Sequence, residues 1–514
     1  MPYNLTPDQL DLAVAALAHH GQGSFFPESP ELAVVNANWA LVRDRLAKLD
    51  LDAYTGYPPL WIFAPKSRLS VRRVPLLHPF DLIIYTSLVL ELRDYISASR
   101  LPPEENRVFS FRAEGAPPHL LWNPSPSYKD FREQSADRLS WIDRSFVGTA
   151  DIADFYPRIY QHRLVNALEA ASGPAKHDCV RVLEKLLLRF SAGASYGIPV
   201  GPVASRPLGE AVLVDVDSTL MSYEIDFVRF VDDFAIFADT PEDAEYGIRV
   251  LGETLFTNHG LTLQAAKTKV VPLREYYDRH LKGHSEKEAA RRTLLNIFGS
   301  SYEVVAYEHL RDEQRAEVDA LNLSEMLQEA LSEGDNVDFN EVSFILGRLS
   351  ALQKPELIPI VLDHLPRLFP VAHSVASFFK GFQALDKQTR ETVAEALLDP
   401  LLGKGSRQLP EYYSMWVLSV FQHSAEWDHA EQILRVFRES NSDAIRRFAA
   451  LALAKSGARP QVLALKGYVS TASPLCRTAI LLATAKLGPD ERKYLRQSLQ
   501  LSDPLERLCA QSQL

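Results

Sequence analysis

The sequence predicts an α+β protein in two parts, a half that mixes strands with helices and a half that is helical almost throughout. Three observations predict it. Short apolar runs of strand character alternate with capped helices between residues 146 and 275. From about residue 315 onward the apolar residues recur at helical spacing. A chain of 514 residues also exceeds what one compact core holds, so two or more domains are expected.

The elements follow in order. Thr6-Pro7-Asp8-Gln9 reads as a helix start, with a hydroxyl cap, Pro at the first position and Gln three residues after the cap. Residues 1–145 mix helical segments with Pro-rich joints such as Tyr57-Pro58-Pro59 and Ala116-Pro117-Pro118. Phe146 to Ile152 reads as a strand, and Phe227 to Phe237 as a hairpin interrupted by Asp232-Asp233. Thr240-Pro241-Glu242-Asp243 opens a helix whose apolar face runs through Ile248, Leu251 and Leu255 and which stops near His259-Gly260. Leu261 to Val271 reads as extended chain.

In the helical half, residues 442–457 (SDAIRRFAALALAKSG) align with 473–488 (SPLCRTAILLATAKLG) at a constant offset of 31. Each copy starts at a capping Ser, runs through an Ala- and Leu-rich helix, and ends at Gly, expected to supply a left-handed stop. This pattern resembles HEAT repeats; the alternative is a plain helical bundle.

Apolar residues at 46% and charged residues at 24% are ordinary globular values. The net charge of -11 argues against a broad basic surface that coats duplex nucleic acid, so any nucleic acid is expected in a local cleft. Cys179, Cys476 and Cys509 lie far apart in no metal-ligand spacing, which suits unpaired thiols in a reduced compartment. The N-terminus lacks the basic start and apolar run of a signal peptide, and no stretch approaches the roughly 20 apolar residues of a membrane span. These readings predict a cytoplasmic protein with no membrane partner.

Phosphoryl transfer to a 3′-hydroxyl uses two divalent cations, and hard Mg²⁺ takes carboxylate oxygens. The sequence should therefore offer acids that converge from separate segments. Asp151 ends one apolar strand, and Asp232-Asp233 interrupt another. Adjacent acids in an apolar run are costly to bury without counter-charge. An ordinary turn is the alternative, although Asn-Gly or Asp-Gly would suit such a hairpin better.

Four motifs in order resemble those of reverse transcriptases. Asp151-Ile-Ala-Asp154-Phe155-Tyr156-Pro157-Arg158-Ile159-Tyr160 looks like the first, and Gly197-Ile198-Pro199-Val200-Gly201-Pro202 like the second. Phe230-Val231-Asp232-Asp233 resembles the Tyr-x-Asp-Asp third motif, and Leu261 to Thr268, with Lys267, the fourth. The resemblance implies a reverse-transcriptase fingers/palm domain followed by an all-α HEAT-like helical-repeat domain. Residues 1–145 would then be the N-terminal segment and fingers, 146–300 the palm, and 301–514 the repeats. Asp151, Asp232 and Asp233 would be catalytic and, with the Ile152 carbonyl, hold two Mg²⁺ ions, for which Mn²⁺ could substitute. Phe155 and Tyr156 would line the nucleotide site, with Tyr156 excluding a ribose 2′-hydroxyl; a core aromatic is the alternative. Pro199 and Gly201 would form a stiff turn under the incoming base pair. Lys267 would meet the leaving pyrophosphate or simply lie on the surface. Among Lys66, Arg68, Arg72 and Arg73, the pair Arg72-Arg73 is the best candidate for the triphosphate, against a solvated face.

The Phe-Tyr-Pro centre of the first motif, the Gly-Ile-Pro-Val-Gly-Pro turn and the helical C-terminal half together resemble the abortive-infection (Abi) reverse transcriptases, bacterial and prophage-borne anti-phage proteins. That resemblance implies untemplated DNA synthesis from dNTPs, single-stranded DNA attached covalently to a side-chain hydroxyl, a homo-oligomer, and a phage or host trigger that no residue identifies. Val200 stands where many reverse transcriptases carry Gln, and no obvious thumb follows Lys267. No motif marks the priming residue; Tyr54 and Tyr57, in a loop with Pro and Gly, are candidates, with a purely structural role as the alternative. The alternatives are a templated enzyme of retron or intron type, a helical scaffold with a vestigial polymerase site, and a nucleotide-depleting toxin.

Overall fold

In the computed structural model the described residues run from 3 to 281 and from 323 to 512, together with 316 and less 24, 68, 140–143, 333–336, 338, 353–354, 383–384, 404–408, 425, 428 and 500. Arg68, the predicted boundary at 300 and the last part of the predicted palm lie outside the described residues.

Up to residue 281 the helices are α1 (Pro7–His20), α2 (Pro30–Ala37), α3 (Trp39–Leu46), α4 (Pro79–Ala98), α5 (Tyr128–Leu139) and α6 (Phe155–Arg158). They continue with α7 (Gln161–Ser172), α8 (His177–Phe190), α9 (Ser205–Val212), α10 (Val214–Ser222), α11 (Pro241–His259) and α12 (Leu273–Tyr276). The strands are β1 (Leu60–Pro65), β2 (Val71–Leu76), β3 (Phe146–Asp151), β4 (Asp226–Phe230), β5 (Asp233–Ala238) and β6 (Lys269–Pro272). The chain divides into two compact units. The first holds Met1–Ser24, Trp39–Pro59 and Leu77–Gly283; the second holds Phe25–Asn38, Leu60–Leu76 and His284–Leu514.

In the first unit an antiparallel sheet runs in the order β4-β5-β3-β6. Side chains alternate across a strand, so Val147, Thr149 and Asp151 share one face with Asp233, Ala235 and Phe237. That face is covered beyond the acids by Phe131 of α5 and Tyr276 of α12, which pack in one core with Val147, Val228, Ala235, Phe237 and Val271. α11 covers the opposite face. It lies close because Gly148 and Gly247 leave room: a Cβ at Gly148 would fall 2.9 Å from Ile248 Cδ1, and one at Gly247 2.8 Å from Ile236 Cγ2.

Local signals in this unit behave as the residues predict. Gln9 N donates to Thr6 Oγ1 at 3.3 Å and Thr6 N donates to Gln9 Oε1 at 2.8 Å, a reciprocal cap for α1. Asp243 N donates to Thr240 Oγ1 at 3.1 Å, and α11 ends at Gly260 with φ of 65°. The predicted extended run 261–271 is only partly extended. Residues 265–267 form a turn and the strand starts at Lys269, because Lys267 N and Thr268 N fold back to the Gln264 carbonyl.

The second unit joins α2 and the antiparallel β1–β2 hairpin to the C-terminal helices. Helices Phe339–Leu352, Ala372–Lys380, Glu411–His423, Asp443–Ser456, Pro474–Ala483 and Pro504–Gln511 stack in that order, each on the next, with starts 30 to 39 residues apart. Glu31 of α2 is fully buried against this row. It accepts from both terminal nitrogens of Arg447, and from Thr478 Oγ1 at 2.7 Å and Ser29 Oγ at 2.6 Å. The glycine stops differ from expectation. Gly457 has φ of -66° and Gly488 is not left-handed either. Gly457 is needed for space instead, since a Cβ there would fall 2.4 Å from the Leu453 carbonyl oxygen.

Candidate active site

Asp151 ends β3 and Asp233 begins β5, and the register places them directly opposite each other. Asp232 occupies the turn between β4 and β5, and its carbonyl accepts the Ile152 amide at 3.2 Å. The Asp151 carbonyl accepts the Gln264 amide at 2.7 Å, and Ile152 bridges to Leu263. Backbone hydrogen bonds thus draw the first, third and fourth predicted motifs together at one end of the sheet.

Crowded carboxylates tell on one another. Burial, then the charges of Asp233 and Asp151, push the Asp232 carboxyl up to about 7. Burial and Asp151 push Asp233 up to about 6. Lys267 Nζ donates to Asp151 Oδ2 at 2.5 Å. Burial opposes its charge, yet the bond to Asp151 and the charges of Asp151, Asp233 and Asp232 hold its pKa above the ordinary ammonium value. Among the described residues no three His, Cys, Asp or Glu side chains are gathered tightly enough to hold a metal ion as they stand. The donor chemistry nevertheless fits hard cations, because the oxygens repel one another and Asp151 has drawn in an ammonium as counter-charge.

The turn rests on buried polar groups that the motif reading missed. Val231, just before Asp232, has φ of 57°, a costly conformation for a β-branched residue. Its carbonyl accepts Arg229 Nη1 at 3.1 Å, and its amide donates to Ser110 Oγ at 3.1 Å. Arg229 is fully buried and donates from Nε and Nη2 to the two oxygens of Asp217 at 2.6 Å, and from Nη1 to Glu210 Oε2 at 2.9 Å. Arg100 pairs with Glu210 at 2.9 Å, and Ser110 Oγ donates to Glu210 Oε1 at 2.6 Å. Two guanidiniums and two carboxylates therefore balance inside the unit. The available signal was an Arg inside an apolar strand, which demands buried acids.

The nucleotide-site candidates fall as follows. The turn at 197–201 is strapped to the first motif: Gly197 N donates to the Ile159 carbonyl at 2.7 Å and Ile198 N to that of Tyr156 at 3.0 Å. Gly201 has φ of 117°, and the Pro199 carbonyl accepts Ser205 Oγ at 2.6 Å. Phe155 is buried, whereas Tyr156 is half-buried with its ring 5.2 Å from that of Phe155. Both rings press on α9, where a Cβ at Gly209 would sit 3.1 Å from each Cε1. Burial and the charge of Asp232 raise the Tyr156 hydroxyl well above its ordinary pKa. Arg72 and Arg73 lie on β2 in the second unit, where Arg73 stacks 3.8 Å over Trp61 and Arg72 lies 5.6 Å from the Phe25 ring centre. Tyr54 and Tyr57 converge on Asp81: the Tyr54 hydroxyl donates to Oδ1 at 2.7 Å and the Tyr57 amide to Oδ2 at 2.8 Å. The Tyr57 ring also stacks on His78 at 3.6 Å.

Residues 119–291 match the family described as reverse transcriptase (RNA-dependent DNA polymerase). No curated protein matches the chain. Solved structures that align with it include telomerase from Candida albicans in complex with a TWJ fragment of telomeric RNA, at 12% identity and a TM-score of 0.33 over 75% of this chain and 70% of that one. Apo telomerase from Candida tropicalis aligns at 9% identity and 0.34, over 81% of this chain and 73% of that one. Both are loose superpositions that identify neither activity nor partner. The matched family segment holds β3 to β6 and all three aspartates, and this chain carries a reverse transcriptase domain.

Proposed function

We propose that the chain is a nucleotidyltransferase that builds DNA from dNTPs, without a template and primed by a protein hydroxyl, in abortive-infection defence against phage. The cross-strand pairing of Asp151 with Asp233, beside Asp232 on the same turn, carries the polymerase reading. Asp151, Asp232, Asp233 and the Ile152 carbonyl would hold two Mg²⁺ ions, or Mn²⁺. When bound, such ions supply charge neutralisation for the attacking and leaving oxygens. Lys267, which donates to Asp151, would offer an ammonium to a departing pyrophosphate. Tyr156, held against Gly209, would press on the sugar edge of the nucleotide.

Support for untemplated synthesis comes from α5 and α12, which cover the acid-bearing face of the sheet beyond the acids and so narrow the room for a duplex there. The stacked helices of the second unit serve in this reading as a HEAT-like repeat scaffold for self-association and for a phage or host trigger. Of the hydroxyl candidates, Tyr54 is engaged with Asp81, which favours a structural role for it. A templated reading has one specific observation behind it, the RNA-dependent description of the matched family.

The deciding experiment incubates the purified chain with Mg²⁺ and each labelled dNTP singly, without template or primer, and resolves products before and after protease. Label that migrates with protein and disappears in an Asp232→Ala, Asp233→Ala variant supports the proposal. A requirement for added RNA overturns the untemplated reading, and no incorporation under any condition overturns the polymerase.

A further inference from the structure

We infer that a chain of aromatic rings beside the catalytic turn is a stacking track for the last nucleotides of a single DNA strand whose 3′ end lies at the aspartates. The inference rests on the polymerase reading for the strand's polarity. The rings all lie in the first unit and touch in sequence. Tyr128 meets Phe230 at 5.3 Å, Phe230 meets Phe111 at 5.9 Å, Phe111 meets Trp122 at 4.8 Å, and Trp122 meets His20 at 4.1 Å. Phe230 is paired in register with Asp233, so the track begins at the catalytic turn. Tyr128, at the start of α5, lies within electrostatic reach of Asp233 and Lys267.

Core rings close on one another and exclude water; these do so only in part, Phe230 packing on the sheet core while Tyr128 stays open. Tyr128 is 51% exposed, and Phe230, Phe111, Trp122 and His20 are all partly open. The Tyr128–Phe230 and Phe111–Trp122 contacts are edge-on rather than face-to-face; Tyr128 also stacks along Phe131 at 5.5 Å, and its remaining exposed surface is what meets a base. Arg206 lies 5.3 Å from the Phe111 ring centre and 5.4 Å from that of Trp122, a cation placed among the rings where a phosphate would pass. Aromatic faces interleaved with a cation hold single strands independently of sequence. That mode also suits a chain with net charge of -11, which binds through stacking and one local cation rather than through many phosphate contacts. Beyond the acids the same sheet face is covered by Phe131 and Tyr276, which closes that stretch of sheet to a second strand.

The test measures anisotropy of a labelled oligothymidylate of about a dozen nucleotides, with a matched duplex alongside, on the full chain. Wild type is expected to prefer the single strand. Tyr128→Ala and Trp122→Ala should each weaken it roughly 5- to 100-fold, while Tyr128→Phe and Trp122→Phe retain binding. Alanine variants that bind as wild type, phenylalanine variants that fail equally, or a preference for duplex overturns the track. As a second readout on wild type, photo-crosslinking with iododeoxyuridine DNA should label residues 111–128, and labelling confined to 339–512 overturns the inference. Neither readout uses incorporation, so a chain that binds DNA here yet adds no nucleotide sinks the polymerase reading alone.

Discussion

Arg229 Nη1 donates to the carbonyl of Val231 at 3.1 Å, so one buried guanidinium grips the backbone of the turn that displays Asp232 and Asp233. The same side chain neutralises Asp217 and Glu210. Arg229→Met would strand Asp217 without its guanidinium, leave Glu210 with Arg100 alone, and release the Val231 carbonyl. The expected cost is roughly 3–5 kcal/mol, read by urea denaturation. A variant as stable as wild type would show that the pairing is dispensable.

Asp81 gives a second prediction, in pH. Burial pushes its carboxyl up to about 7 despite the hydrogen bonds from Tyr54 and Tyr57. The folded chain therefore keeps a proton that the unfolded chain releases near its ordinary value of about 4. Stability from this site is full below that value and is lost as pH rises through 7. Asp81→Asn should flatten the fall in melting temperature between pH 5 and 8, within a ceiling on the order of 4 kcal/mol. An unchanged slope would assign that fall to other groups.

Gly209 is predicted to set sugar selection at one remove. A methyl there would press on Phe155 and Tyr156 at 3.1 Å, so Gly209→Ala should shift the Tyr156 ring. The ratio of kcat/KM for dNTP over rNTP is expected to change about tenfold, with Tyr156→Ala lowering it further. Equal ratios in all three proteins would remove Tyr156 from the sugar contact.

Glu31 makes the matching case in the helical unit. Its burial would raise its pKa, but the ion pair with Arg447, assisted by Ser29 and Thr478, holds it down at about 2. That contribution is full above the ordinary glutamate value and fades as pH falls toward 2. Glu31→Gln should lower stability at pH 7 by roughly 3–5 kcal/mol and lessen the acid-induced loss, as thermal denaturation from pH 3 to 7 would show. Equal losses at every pH would refute the linkage.

The acids were legible because chemistry forced them into view: carboxylates in apolar strands need a reason, and strand alternation then put Asp151 and Asp233 on one face. Capped helices such as α1 and α11 were legible for local reasons. What holds the catalytic turn was not. Glu210 and Asp217 sit on helices whose approach to Arg229 is a tertiary event, and their spacing in the chain does not announce it. α5 was hidden by its polarity, since Arg138 reads as solvated until Asp226 is seen beneath it at 3.1 Å. Arg72 and Arg73 read as either a triphosphate contact or a solvated face, and their neighbours, the rings of Phe25 and Trp61 in the unit built from the C-terminal helices, had no signal in the sequence.

The division of the chain into units also sets a timetable for its synthesis. Phe25–Asn38 and Leu60–Leu76 leave the ribosome long before the C-terminal helices with which they make a compact unit. The buried acid of Glu31 must wait, uncovered, for Arg447 and Thr478. Vectorial folding from the N-terminus cannot close this unit early. Truncation after residue 283 would leave α2 and the β1–β2 hairpin as orphans, and expression of residues 284–514 alone would yield helices missing their own first pieces. The second unit is therefore expected to close only once its last helices are made, whereas the first has all its segments by Gly283 and can fold earlier.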